Sequence, residues 1–406
     1  MMKRKITYRL YPNQQQTARL FELLGFHQRV YHAALEERIR VYREQGKSLS
    51  FADQCKALTV WRQKDFGLKE MNAQSLQVTL KRLDLAFQAF FRRVKAGEKP
   101  GFPRFKSLQR FSGWGYKTHG DGFRLISNET MKHGELRLSG VGHIQIRGKA
   151  RTPGEVKTAE ILHKAGKWYV SVTVECEPKR CCGNKAIGLD WGLEKFLVSH
   201  DSQAKTNSIE NPRFIKKLLP KLKALQQSIS RKKKESCNRK KAVQVLSNFH
   251  AKIARRRRHF HHELSSQIVK ENGVIATEAL SVKSMTAKGG ANKKGLNREI
   301  LSTAPTQFHS LLKSKAEEAG AMWIEIPTRE VKPSQTCHRC QSQIKKTLSE
   351  RWHHCDCGAS CDRDENAARV ILNWALNWVS GQELAEVRSR SCFTALKHET
   401  HTIPLY

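Results

Sequence analysis

Gly188-Leu189-Asp190-Trp191-Gly192 is the stretch that decides how this chain folds. Ile187 and Leu189 flank Gly188 as buried strand residues would, and Asp190 falls where that strand ends. The apolar run Lys195-Phe196-Leu197-Val198-Ser199 follows and reads as a second strand. A carboxylate at a strand end can face a cleft and hold a divalent metal. The flanking glycines then read as clearance for metal ions and a phosphodiester backbone. In isolation, an Asp between glycines is more often a turn residue, and the rest of the chain has to decide.

Two further acidic positions bear on it. Val274-Ile275-Ala276-Thr277-Glu278 is an apolar strand with a carboxylate at its far end, 278 − 190 = 88 residues after Asp190. Met322 to Pro327 reads as another strand, after a helix containing Phe308, Leu311 and Leu312. Strands alternating with helices predict an α/β sheet, whose sites form at the C-terminal ends of its strands. The third position lies in Cys361-Asp362-Arg363-Asp364-Glu365-Asn366-Ala367-Ala368-Arg369, where a helix begins and continues through Val370, Ile371, Trp374 and Val379. Asp362 suits its cap. Asp364 can turn inward, with Ala367 and Ala368 permitting close packing. Two carboxylates at strand ends and one at a helix start can hold two divalent ions about 4 Å apart, an arrangement that cleaves phosphodiesters. Their hard oxygen ligands suit Mg²⁺.

The 406 residues allow two or more domains. Lys and Arg number 74 against 37 Asp and Glu, a formal charge of +37. Such a surface repels itself unless it meets a polyanion, and nucleic acid is the natural partner. A basic scaffold of the ribosomal kind would share the charge but has no use for acidic residues at strand ends. No run approaches a membrane span, and the basic start has no apolar signal segment behind it. Of eleven cysteines, five lie between Cys337 and Cys361, which reads as an intracellular metal site rather than a disulfide framework. Cys337-His338-Arg339-Cys340 and His353-His354-Cys355-Asp356-Cys357-Gly358 form two knuckles of a zinc ribbon. The expected ligands of one structural Zn²⁺ are Cys337, Cys340, Cys355 and Cys357. His354 rivals Cys355, because it stands at CxxC-like spacing from Cys357, and Cys361 is a further candidate.

The N-terminal half reads differently. Lys5 to Tyr11 is a strand, ended by Pro12-Asn13, and Asn13 suits the cap of the next helix. A clear helix spans about Asn72 to Lys95, with Leu76, Leu80, Leu83, Phe87, Phe90 and Val94 on one face. Gln77, Lys81, Arg82, Gln88, Arg92 and Arg93 occupy the other. That face is either simply solvated or laid on nucleic acid, with Lys81 and Arg92 on phosphates and Gln77 at a base edge. Five short alternating runs between Phe123 and Val174 predict a small antiparallel barrel. Arg104-Phe105-Lys106 and Trp114-Gly115-Tyr116-Lys117 interleave rings with cations, which suits base stacking or a barrel seam equally. Glu177 to Lys185 marks a domain boundary. A helical stretch is expected from near Asn211. Arg231, Lys232 and Lys233 lie at a helix–helix turn, and Arg255, Arg256, Arg257 and Arg258 lie on the next helix. Four consecutive arginines surround a helix with charge, and phosphate binding is their expected use.

The chain also resembles a known family. Arg9-Leu10-Tyr11-Pro12, Gly101-Phe102-Pro103-Arg104-Phe105, Gly188 to Gly192, Thr277-Glu278, Ser334 to Cys340 and Asp362 to Ala368 resemble the TnpB, or OrfB-type, proteins of IS200/IS605 insertion sequences. The resemblance runs over roughly residues 3 to 380 and implies a relative of the Cas12 nucleases. It implies a wedge barrel from residues 1–12 and 100–183, interrupted by a helical recognition domain at 13–99. An RNase H-like (RuvC-like) α/β nuclease domain would occupy 184–333, with a basic helical insert at about 211–270. A zinc ribbon at 334–361, a last nuclease segment at 362–380 and a polar tail at 381–406 would complete it. Asp190, Glu278 and Asp364 match the family's metal-binding acids, which implies two Mg²⁺ ions. The second knuckle is CxC here, where many members have CxxC. The implied partners are a guide RNA from the transposon's right end, one chain per RNA, and target double-stranded DNA beside a short recognised motif. The implied setting is the cytoplasm of a prokaryote, at the nucleoid, with no membrane. A DNA-binding protein that does not cut, and an RNA-free transposase accessory protein, are the alternatives.

Overall fold

The computed structural model describes residues 2–128, 131–148, 153–287, 290, 293–347 and 350–381. The chain divides into two compact units between Glu177 and Pro178. The tail expected at 381–406 lies, from residue 382 on, outside the described residues.

The first unit starts with strand β1 (Met2–Tyr11) and then four helices, α1 (Gln14–Gln45), α2 (Phe51–Lys64), the short α3 (Phe66–Lys69) and α4 (Ala73–Lys95). Local chemistry sets their ends. The Asn13 side chain accepts the Gln16 N–H at 2.8 Å, and the Gln16 side chain returns a bond to the Asn13 N–H at 3.0 Å. Gly46, at φ 65°, ends α1 in the left-handed conformation that glycine adopts without strain. Six strands follow: β2 (Gly113–Tyr116), β3 (Phe123–Ser127), β4 (His133–Leu138), β5 (Gly142–Arg147), β6 (Glu155–Lys164) and β7 (Lys167–Cys176). They join β1 in one antiparallel sheet of order β2-β6-β7-β1-β5-β4-β3. The first strand is thus central, paired with β7 over Met2–Arg9 and with β5 over Arg9–Tyr11. Helices and sheet share one hydrophobic core. Within it the His27 ring of α1 stacks on Trp114 of β2 at 5.3 Å and meets Thr79 of α4 at 2.8 Å. Burial, with help from Arg82, lowers His27 to about 3, so it packs as a neutral ring.

The second unit is built on β8 (Lys185–Trp191), β9 (Lys195–Asp201), β10 (Thr206–Glu210), β11 (Asn272–Glu278) and β12 (Met322–Ile326), in the order β10-β9-β8-β11-β12. The first three pair antiparallel, whereas β11 runs parallel to both β8 and β12. Between β10 and β11 lie α5 (Leu219–Ser230) and the long α6 (Cys237–Glu271). Then come α7 (Val282–Met285), α8 (Lys293–Thr303) and α9 (Pro305–Ala319) before β12, and α10 (Thr328–Val331) after it. The small hairpin β13 (Trp352–His354) and β14 (Ser360–Asp362) leads into α11 (Arg363–Gly381). The helix expected from Asn211 starts later. Asn211 is a buried turn residue that donates to the Leu193 carbonyl at 2.7 Å and accepts the Arg213 N–H at 2.9 Å. Arg213 has φ 49°, outside the helical region, and Pro220 stands in the first turn of α5. One apolar layer lies between the sheet and α6, α8 and α9, and a second packs α11 against β8, β11 and β12. Among the described residues no helix is long and apolar enough to cross a membrane.

Candidate metal centres and nucleic-acid surface

Parallel pairing sets Thr277 opposite Leu189, so Asp190 and Glu278 stand one residue further, side by side at two strand ends. Helix α11 supplies the third carboxylate. Ala367 and Ala368 are buried against the sheet, where a larger side chain would hold the helix away. A Cβ at Gly188 would lie only 2.2 Å from the Ala368 carbonyl oxygen. This corrects one expectation: Gly188 makes room for the backbone of α11, not for metal ions. Gly192 is likewise required by backbone, because a Cβ there would lie 2.7 Å from the Lys195 carbonyl oxygen, while Asp364 Oδ2 would be at an ordinary 3.9 Å.

The electrostatics follow from this crowding. Burial raises Asp190 well above the usual carboxylate range, and the charges of Glu278 and Asp364 raise it further. Burial and Asp364 together push Glu278 up to about 6. Nearby cations are few. Arg363 Nε lies 3.5 Å from Asp364 Oδ1. Lys195 is engaged with Asp362 at 3.1 Å. Asp362 itself caps α11, accepting the Asp364 N–H at 2.9 Å and the Glu365 N–H at 3.3 Å. The centre carries more negative charge than the cations facing it neutralise, but among the described residues only the four cysteines have ligand atoms gathered within 4.8 Å of one another.

The sulfur atoms of Cys337, Cys340, Cys355 and Cys357 all lie within 4.8 Å of one another. Cys337 and Cys357 are 3.6 Å apart, and Cys340 and Cys355 are 3.4 Å apart. Four sulfurs about 2.3 Å from one tetrahedral zinc ion would be roughly 3.8 Å apart, so the cluster fits. His354 lies outside the cluster, its Nδ1 3.2 Å from Ser360 Oγ, and Cys361 is buried elsewhere. Hydrogen bonds from Ser342 pull the Cys340 thiol down to about 6, towards the thiolate that binds metal.

The basic residues divide by environment. Gln77, Arg92, Arg104, Arg231, Lys233, Arg255, Arg256 and Arg258 are exposed, and Lys232 is half-buried. Lys81 is exposed but paired with Asp84 at 2.8 Å, which also holds Arg38. Lys106 lies over the Tyr31 ring, 5.3 Å from its centre. Arg257 is the exception to the phosphate expectation. Half-buried, it donates to the Ser302 carbonyl at 3.0 Å and so serves packing between α6 and α8. Arg82 is likewise turned to protein, bonding the Gly113 carbonyl and Glu160.

A mixed five-stranded sheet, acids at the ends of two adjacent parallel strands, and a third acid from a helix laid across them define a RuvC-like nuclease fold with a four-cysteine ribbon. Comparison with known proteins agrees. The OrfB_IS605 family model, described as "Probable transposase", matches residues 169–288. A "Cas12f1-like, TNB domain" model matches 306–371. A "Helix-turn-helix domain" model of the same OrfB group matches 1–47, where the structure has a strand and one continuous helix. A Streptomyces pristinaespiralis protein named "Putative RNA-guided DNA endonuclease" is 31% identical over 91% of this chain and 89% of its own length. A protein of the same description from Escherichia coli K12 is 28% identical over 90% of each. Among solved structures, the fold is shared with Cas12f1 in a complex with guide RNA and target DNA. That match has TM-score 0.61 and 13% identity, over 89% of this chain and 83% of that one. A second, the mini-RNA-guided endonuclease Cas phi3, has TM-score 0.52 and 9% identity over 92% of both chains. The chain belongs to the OrfB/TnpB family.

Proposed function

We propose that this protein is an RNA-guided DNA endonuclease. It would bind a guide RNA from the right end of its transposon, one chain per RNA, and hydrolyse DNA that pairs with that guide. Family membership and the names of the two bacterial relatives support the activity. The single observation carrying the chemistry is the trio Asp190, Glu278 and Asp364, whose charges repel one another with too little positive charge nearby. Two Mg²⁺ ions held there would activate a water and stabilise the leaving oxygen. The chain's own residues position that centre. Asp362 caps α11, Lys195 holds Asp362, and Arg363 partly offsets Asp364. Cys337, Cys340, Cys355 and Cys357 would hold one structural Zn²⁺.

Residues 1–12 and 100–183 are assigned as wedge and 13–99 as recognition helices. Residues 184–333 and 362–380 are assigned as nuclease and 334–361 as ribbon. Arg231, Lys232, Lys233, Arg255, Arg256 and Arg258, on the α5–α6 hairpin, are assigned to nucleic-acid phosphates, as are Arg92, Arg104 and Lys106. Gln77 is assigned to a base edge and Lys81 to a secondary contact. Sequence would be read by base pairing, with the protein reading backbone shape and a short adjacent motif.

The test starts from RNA that co-purifies with the protein. A defined RNA from the gene's 3′ flank is expected, and the complex should cut a matching target in Mg²⁺. Asp190→Ala should abolish cutting and leave RNA-dependent DNA binding intact. Cutting by that variant would remove Asp190 from the centre, and absence of any bound RNA would remove the guide.

A further inference from the structure

The three-residue stretch that carries the first cysteine is gripped by the same helix that carries Asp364. Asn366, fully buried on α11, uses its whole amide for this. Its Nδ2 donates to the Thr336 carbonyl at 2.7 Å and to the Pro333 carbonyl at 3.3 Å. Its Oδ1 accepts the His338 backbone N–H at 3.1 Å and faces His338 Nδ1 at 2.9 Å. The Arg369 guanidinium lies 3.2 Å from His338 Nε2 and can only donate, so the ring proton sits on Nδ1 and points to Asn366. Asn373, two helical turns on, donates to the His338 carbonyl at 3.0 Å. Asn366 therefore binds the peptide groups on both sides of Cys337. Positions 364 and 366 lie about 200° apart around a helix. One face of the first turn thus presents a carboxylate to the acidic centre, while the other holds the cysteine knuckle.

We propose that Asn366 is a positioning residue that couples the four-cysteine site to the carboxylate centre, so that metal bound at one favours metal at the other. This rests on the metal-centre reading of Asp190, Glu278 and Asp364. The physical reason is that α11 is rigid over one turn, while the four gathered thiolates repel one another until a metal ion draws them together, so that metal binding closes the knuckle. Closing the knuckle fixes Thr336 and His338, those fix Asn366, and Asn366 fixes the register of Asp364. Coupling between two binding equilibria is reciprocal. A buried asparagine that merely satisfies loop carbonyls would affect melting but not the linkage between two metals.

The test uses the full-length chain. Zinc affinity is measured by competition with a chromophoric chelator, with and without saturating Mn²⁺. Mn²⁺ affinity is measured by electron paramagnetic resonance, with and without zinc, and Asp190→Ala corrects for Mn²⁺ bound elsewhere. Each metal is expected to tighten the other by the same factor, about tenfold. In Asn366→Ala that factor should fall towards one. The Mn²⁺ needed for half-maximal cleavage should rise about tenfold while cleavage at saturating Mn²⁺ largely recovers. A coupling factor of one in the wild type would overturn the proposal even if the variant does not fold, and so would an unchanged factor in Asn366→Ala. Mn²⁺ binding without coupling would leave the metal centre standing. No Mn²⁺ binding attributable to Asp190 would sink the metal centre and the coupling together.

Discussion

Replacing Gly188 with alanine is expected to disturb the carboxylate centre from behind, without touching an acidic residue. The added Cβ would sit 2.2 Å from the Ala368 carbonyl oxygen and 2.7 Å from the Leu372 backbone nitrogen. Ordinary contact begins at 3.4 Å, so α11 must retreat by 3.4 − 2.2, or about 1.2 Å. Both obstructing atoms are helix backbone and cannot swing aside as a side chain could. Overpacking of this kind costs about 2–3 kcal/mol. For a unit of this size that lowers the melting temperature by about 4–12 °C. Asp364 lies one turn before Ala368 and must travel with the helix. A displacement of about 1 Å in a catalytic constellation costs roughly 100-fold in rate. Thermal melting and cleavage of a guide-matched target measure the two effects, and RNA binding by the full chain serves as an internal control. Gly25→Ala, where a Cβ meets nothing within 4 Å, is the comparison variant and should cleave normally. A Gly188→Ala protein that melts and cleaves like the wild type would refute the idea that α11 needs this contact.

Other perturbations separate the remaining roles. Glu278 holds its proton up to about 6 against an ordinary 4.5, so folding takes up a proton and this group's contribution to stability falls as pH rises through that window. In metal-free buffer, Glu278→Gln should therefore melt higher than wild type at neutral pH, by about 1–2 kcal/mol, and lose the advantage near pH 4. Parallel pH profiles for the two proteins would contradict this. Cys355→Ser should lose zinc, measured by elemental analysis, whereas His354→Ala should keep it; the reverse result would make His354 the ligand. Alanine at Arg255, Arg256 or Arg258 should weaken RNA binding and reduce its salt slope by about one per phosphate contact. Arg257→Ala should instead lower the melting temperature with little change in salt slope, because its guanidinium is bonded to Ser302.

Much of this molecule is legible along the chain, because local rules act within a few residues. Asn13 caps its helix through a bond to the residue three positions on. The run from Val274 to Glu278 reads as a buried strand because Val274, Ile275 and Thr277 are β-branched and nothing polar interrupts Val274 to Ala276. The cysteine spacings read as two knuckles because a tetrahedral metal needs short loops between ligand pairs. The short strand β10 was not legible, because Thr206 to Glu210 is exposed on an edge and carries no apolar alternation. The inward turn of Arg257 within a run of four arginines was not legible either. Its partner is a carbonyl 45 residues away.

By itself, then, the sequence determined that a basic chain carries strand-end and helix-start carboxylates and a four-cysteine ribbon. Only the tertiary structure decided that Gly188 exists for helix α11, that Asn366 grips the peptides around Cys337, and that Arg257 turns inward to Ser302. The reason is physical. Caps, strand patterns and ligand spacings are short-range properties of the chain. Which backbone lies against a glycine, and which amide faces a knuckle, depend on packing between elements about 30 to 180 residues apart, which no local period encodes.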